Sequence, residues 1–200
     1  MSLVTAVRQA LKGGVKAVQL REKDLDTLQL LKLAYRMKKV TAQFGARLFV
    51  NDRFDIALAV EADGVHLTTN SIPTDAVRSA VKKKLLIGVS THSLQEAKEA
   101  EKGGADFITF GPVYKTPSKL QYGTPVGLES LKKFAGKVNI PVFAIGGVKR
   151  RNLESVLDSG AQGIAMISEI FKAGHIEKNV KEINSLLEAR KENRNQPYYL

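Results

Sequence analysis

Short apolar runs alternate with amphipathic stretches along the whole of this chain. One arrangement recurs four times: the end of a helical stretch, one or two small residues, then a short strand. It appears as Gly13-Gly14-Val15-Lys16-Ala17-Val18-Gln19-Leu20 and as Glu61-Ala62-Asp63-Gly64-Val65-His66-Leu67. It returns as Gly103-Gly104-Ala105-Asp106-Phe107-Ile108-Thr109-Phe110, and as Ser159-Gly160-Ala161-Gln162-Gly163-Ile164-Ala165-Met166-Ile167. Glycine at a helix C-terminus supplies the left-handed conformation that ends the helix. Three further strands are predicted at Arg47–Asn51, Leu85–Ser90 and Val142–Gly146. All are rich in Val, Ile, Leu and Phe, as strands covered on both faces are.

Helical periodicity fills the gaps. Leu28, Leu31, Ala34, Tyr35 and Met37–Lys38 share one amphipathic stretch closing near Gly45. Ser93 opens another, with Glu96 three residues on, which is the spacing of a capping box. A short helix is expected at Glu169–Lys172, and Val180, Ile183, Leu186 and Leu187 mark the last long one. Strand–helix alternation argues for a parallel sheet. Seven such strands favour an α/β fold closed as a (β/α)8 TIM-type barrel, with an open doubly wound sheet as the alternative. Residues 1–190 are read as a single barrel domain and 191–200 as a polar C-terminal tail.

Composition narrows the function classes. The hydrophobic fraction of 44% suits a globular protein. No apolar run approaches the roughly 20 residues of a membrane helix, and the N-terminus lacks a signal-peptide pattern; the expectation is a cytoplasmic protein without a membrane partner. Cysteine is absent, which removes disulfides, thiolate nucleophiles and Cys-based zinc sites. The net charge of +11 comes from 31 Lys and Arg against 20 Asp and Glu. These cations are spread over Lys38–Lys39, Lys82–Lys84, Lys132–Lys133 and Lys149–Arg151 without interleaved aromatics. Such a pattern reads as solvated surface, with a few charges available to a phosphorylated small molecule and no nucleic-acid interface.

In (β/α) barrels the chemistry sits where strands end and βα loops begin. Gln19, Arg21 and Lys23 alternate at the end of one strand, so an extended chain would aim an amide and two cations at a diphosphate. A salt-bridged strand end with Glu22 is the structural alternative. Asp52, in Asn51-Asp52-Arg53, offers oxygen to Mg2+ or simply caps the next helix. Ser90 ends a strand. His92, two residues on, is an acid/base or, as the residue alone favours, an ordinary helix-start histidine. The stretch Gly111–Pro125 is long for a βα connection, and long ordered loops are usually functional. Thr116, Ser118 and Lys119 in it present two hydroxyls and a cation. Gly146-Gly147 ends one strand and Ile167-Ser168 another, just before a short helix, an arrangement common in phosphate sites of this fold.

Together, Gln19-x-Arg21-x-Lys23, Asn51-Asp52-Arg53, Gly88-Val89-Ser90-x-His92, Gly111-Pro112-Val113-Tyr114-x-Thr116-x-Ser118-Lys119, Gly146-Gly147 and Ile167-Ser168 resemble the thiamine-phosphate synthase family, from about Leu3 to Leu187. The resemblance implies a transferase that joins hydroxymethylpyrimidine diphosphate to thiazole phosphate and expels pyrophosphate. It implies that Gln19, Arg21, Lys23 and Asn51 hold the pyrimidine diphosphate, Asp52 binds Mg2+, Ser90 contacts the pyrimidine and Lys119 the leaving diphosphate. Thr116, Ser118, Gly147, Ile167 and Ser168 would seat the thiazole phosphate. A sister group, the thiazole tautomerases, needs no metal and would use His92 as acid/base. A non-catalytic regulator retaining the phosphate pocket is the reading from another class.

Two departures stand out. Synthases usually follow the His-Leu strand with Gly-Gln-x-Asp, whose Asp is a second Mg2+ ligand. Here His66-Leu67 is followed by Thr68-Thr69-Asn70-Ser71, so metal binding should weaken. The family also begins with a strand before the first helix, whereas here that helix starts almost at Met1. The apolar Pro197-Tyr198-Tyr199-Leu200 either fills the missing strand's slot or is a disordered tail, in which case rearrangement or homodimer contacts would close the slot.

Overall fold

The computed structural model describes residues 1–116 and 124–192, with side chains to 190. Seven parallel strands pair in chain order: β1 (Ala17–Leu20), β2 (Arg47–Asn51), β3 (Gly64–Leu67), β4 (Leu86–Thr91), β5 (Phe107–Phe110), β6 (Val142–Ile145) and β7 (Gly163–Ala165). Helices α1 (Leu3–Lys12), α2 (Thr27–Gln43), α3 (Phe54–Ala59), α4 (Thr74–Val81), α5 (Leu94–Lys102), α6 (Gly127–Ala135) and α7 (Leu153–Asp158) alternate with them. The chain then runs through α8 (Ser168–Phe171) and α9 (Ile176–Glu192).

Strand alternation sorts the side chains into two layers. Leu48, Val50, Val65, Ile87, Ile108, Val142 and Ala144 are fully buried, as are Ala34, Ala57, Val77, Ala97, Leu131, Val156 and Val180 of the helices. The other face of the sheet turns inward. Phe49 of β2 and Phe107 of β5 belong to strands that are not neighbours, yet their rings meet edge to face at 5.2 Å, so the sheet is curled. Phe143 meets Phe107 at 5.4 Å. Each of these rings is paired in register with a glycine: Phe49 with Gly64, Phe107 with Gly88, Phe143 with Gly163. A Cβ on Gly64 would lie 2.5 Å from the Phe49 ring, and one on Gly88 would lie 2.2 Å from that of Phe107.

This is the TIM-type α/β architecture with its first strand absent. Among the described residues β1 pairs only with β2 and β7 only with β6, leaving a slot between them. The helical layer nevertheless closes over the slot. Helix α9 packs on α1, Gly13 lies against Val180, and Asn184 Nδ2 donates to the Gly13 carbonyl at 2.9 Å. The candidate tail strand Pro197–Leu200 lies outside the described residues.

Details differ from the sequence expectation in ways local physics explains. At the paired glycines it is the second, Gly14 and Gly104, that takes positive φ (104° and 90°), while Gly13 and Gly103 stay right-handed as helix C-caps. In the second repeat the left-handed residue is Glu61, at φ 52°. Gly64 lies inside β3, where only a missing side chain admits Phe49. Ser93 caps α5 by accepting from Glu96 N, but the Glu96 carboxylate reaches His92 N instead of closing a capping box. A complete box occurs at Asp26 and Gln29, opening α2.

Gly88→Ala should therefore lower stability by about 1–3 kcal/mol through overpacking. Gly136→Ala, where a Cβ would meet nothing within 4 Å and φ is negative, should be neutral or slightly stabilising. Urea unfolding of both variants checks this; equal stabilities would remove the packing account.

Candidate active site

The C-terminal ends of the strands carry the polar residues, because alternation places one inward-facing position above each filled level of the interior. At one side, Gln19 Nε2 donates to Asn51 Oδ1 at 3.0 Å, and Asn51 Nδ2 donates to Asp52 Oδ2 at 2.7 Å. Asn51 is buried. Asp52 has φ 60°, a conformation uncommon for a residue with a side chain. It does not cap α3, whose N-cap is Arg53 without a side-chain cap bond. Its other oxygen, Oδ1, accepts from the Ser71 hydroxyl and, at 3.5 Å, from that of Thr68.

Strand β1 ends at Leu20, so alternation carries only Gln19 inward. Arg21 and Lys23 lie exposed on the following loop at the same end of the sheet. Neither they nor Glu22 takes part in the ion pairs seen among the described residues. Arg53 is spoken for: it forms an ion pair with Asp55 and donates to Thr27 Oγ1.

The middle of the mouth holds Ser90, Thr109 and His66. Thr109 Oγ1 donates to Ser90 Oγ and meets His66 Nε2, both at 3.4 Å. His66 and Thr109 went unnoticed in the sequence, although the alternation that turns Ser90 inward applies equally to them. His92 Nδ1 stands 2.5 Å from the Gly111 carbonyl. A carbonyl only accepts, so in this contact Nδ1 carries the hydrogen.

At the far side, Gly146 and Gly147 have φ 92° and 67°. The loop after β5 lies directly on them: Val113 N donates to the Ile145 carbonyl and Tyr114 N to that of Gly146, each at 3.0 Å. A Cβ on Gly147 would fall 2.7 Å from Tyr114 Cβ, so this glycine is demanded by backbone and packing whatever it binds. Burial pushes the Tyr114 phenol pKa up. Asn152 Nδ2 holds the Gly147 carbonyl at 3.1 Å, and the Glu169 carboxylate accepts from Arg150 N at 3.2 Å. The β6 loop is thereby tied to α8, beside exposed Ile167 and Ser168. Thr116 is half-buried at the edge of the described loop. Ser118 and Lys119 lie outside the described residues.

The residues present do not fit a divalent ion held by the protein alone. Each oxygen of the Asp52 carboxylate already accepts from a protein donor, Oδ2 from Asn51 Nδ2 and Oδ1 from the Ser71 hydroxyl, with Thr68 Oγ1 3.5 Å from Oδ1. No group of three His, Cys, Asp or Glu side chains suited to a metal occurs among the described residues. No helix among them is long and apolar enough to cross a membrane.

The hydrogen bond from Arg53 holds the Asp55 carboxyl below the usual carboxylate range, against a smaller opposing effect of burial. Because the folded-state pKa is depressed, this contribution to stability is present above the unfolded pKa and is lost as pH falls through the folded one. NMR titration should find the Asp55 midpoint low in the wild type and raised in Arg53→Gln. An unmoved midpoint would show Arg53 free to serve elsewhere.

The family model for thiamine monophosphate synthase matches residues 1–170. A putative thiamine-phosphate synthase of Geobacter sulfurreducens is 48% identical over 188 residues, 94% of this chain and 88% of that protein. The thiamine-phosphate synthase of Halalkalibacterium halodurans is 40% identical over 94% of this chain and 90% of its own. Among solved structures, a thiamine phosphate pyrophosphorylase from Pyrococcus furiosus superposes with a TM-score of 0.88 at 39% identity, covering 94% of this chain and 90% of that one.

Proposed function

The chain belongs to the thiamine monophosphate synthase family, and from that premise we propose that it is a cytoplasmic transferase joining hydroxymethylpyrimidine diphosphate to thiazole phosphate. The products are thiamine phosphate and pyrophosphate. The observation that carries the reading is the match itself, which spans both polar sides of the mouth at 48% identity.

The chemistry asks little covalent work of the protein. A benzylic-type pyrimidine carbon loses diphosphate to give a stabilised cation, and the thiazole nitrogen captures it. The protein must neutralise the leaving group and align the two rings. In this reading Arg21, Lys23 and Lys119 take the diphosphate charge, while the linked Gln19 and Asn51 amides orient it. Ser90 contacts the pyrimidine. Thr116, Ser118, Gly147, Ile167 and Ser168 seat the thiazole phosphate. Members of this family generally depend on Mg2+, whereas in this chain both Asp52 carboxylate oxygens already accept from protein donors.

The test supplies both precursors to the purified chain. Thiamine phosphate and pyrophosphate should form in equal amounts, and Lys119→Ala should lower the rate by about 10²–10³-fold, the usual effect of removing a group that stabilises developing negative charge. Absence of product under all conditions that keep the protein folded would refute the assignment.

A further inference from the structure

Asp52 is the one acidic side chain in the hydrogen-bonded network described on the β1–β3 side of the mouth, and its surroundings are those of an acceptor already satisfied. Asn51 Nδ2 occupies Oδ2 at 2.7 Å. The Ser71 hydroxyl occupies Oδ1, with Thr68 Oγ1 at 3.5 Å from the same atom. Ser71 Oγ is itself fixed, accepting from Thr68 N at 2.6 Å and lying 3.0 Å from Thr68 Oγ1. The Ser71 hydrogen thus points at the carboxylate, where a cation would need a lone pair. A small divalent ion demands a nearly complete shell of oxygen lone pairs at about 2.0–2.1 Å. This site offers hydrogens in those directions and a single negative charge.

We propose that Thr68 and Ser71 are positioning residues that stand where a metal would otherwise be needed. From the loop after β3, Ser71 donates to Asp52 Oδ1 and Thr68 holds Ser71 in place, so that the free protein holds no divalent cation. Asp52 passes the restraint through Asn51 to Gln19, fixing both amides at the mouth. Three strand ends are joined in one hydrogen-bonded line without an ion. The proposal deepens the transferase reading, since it concerns the pole assigned there to diphosphate, but the cation measurement below does not depend on turnover.

Binding of Mn2+ alone to the free protein, read by the loss of the free-ion EPR signal, separates the cases. The wild type should leave Mn2+ free up to millimolar concentrations. Ser71→Asp sets a second carboxylate against Asp52 and should tighten Mn2+ binding at least about tenfold, since ligand charge count governs such affinities. Adding Asp52→Asn to that variant should remove the gain. Micromolar Mn2+ binding by the wild type, lost in Asp52→Asn, would overturn the proposal. So would a folded Ser71→Asp protein that binds no better than the wild type. If Ser71→Asp fails to fold, the wild-type titration decides the matter alone.

Discussion

Phe49, Phe107 and Phe143 enter the interior of the curled sheet because the residue paired beside each is glycine. A parallel strand covered on both faces has no polar side to mark its orientation, so hydrophobicity alone leaves its register weakly specified. The alternation of a large ring with an empty position removes that freedom. A slip of one residue would drive a ring into a neighbouring backbone and turn the polar strand ends outward. The level above these rings is therefore fixed by the level below. Asn51 stands two residues beyond Phe49, His66 two beyond Gly64, Ser90 two beyond Gly88 and Thr109 two beyond Phe107. The polar mouth follows from the apolar floor by the two-residue period of a strand.

The same period explains what could be read in the sequence. All seven strands were legible as short apolar runs, four of them after small residues, and their alternation with helices gave the parallel architecture. Some strand ends were legible to within a residue: Leu85–Ser90 became Leu86–Thr91, because the ladder with β5 continues through Thr91, whereas β7 stops at Ala165, short of the expected Ile167. What a single chain does not display is which loop reaches which. The link from Ser71 to Asp52 crosses 19 residues and two elements, and Thr68 and Ser71 read as ordinary loop hydroxyls until the fold sets them against the carboxylate. Arg21 and Lys23 show the opposite failure. Extending strand alternation past Leu20 assumed a strand where β1 has already ended.

The glycines divide along the same line between what fold and what ligand demand. Gly146 and Gly147 suggested a phosphate cradle, yet the structure gives them a prior duty. Pro112 and Tyr114 lie so close that a Cβ would sit 2.5 Å and 2.7 Å from their side chains. The loop after β5 docks onto β6 through these contacts and through backbone bonds from Val113 and Tyr114. Substituting Gly147 therefore probes loop docking before it probes any anion, and a lost affinity there would not identify the group that was bound.

Among the described residues the unpaired side of β1 lies beside the polar side of the mouth. Among the described residues β1 pairs with β2 alone, and Ala17 and Gln19 are exposed. An edge strand held on one side only is freer to shift than one held on both. Gln19 is nevertheless tied at its tip to Asn51, and Asn51 through Asp52 to the loop after β3. The hydrogen-bonded line thus crosses the sheet perpendicular to the strands, in the direction in which the missing strand would have braced β1. Beneath it, α1 and α9 close the outer layer over the slot through Gly13, Val180 and Asn184. β1 is held at its top by side chains and at its back by helices, so the position of Gln19 does not rest on the backbone ladder alone.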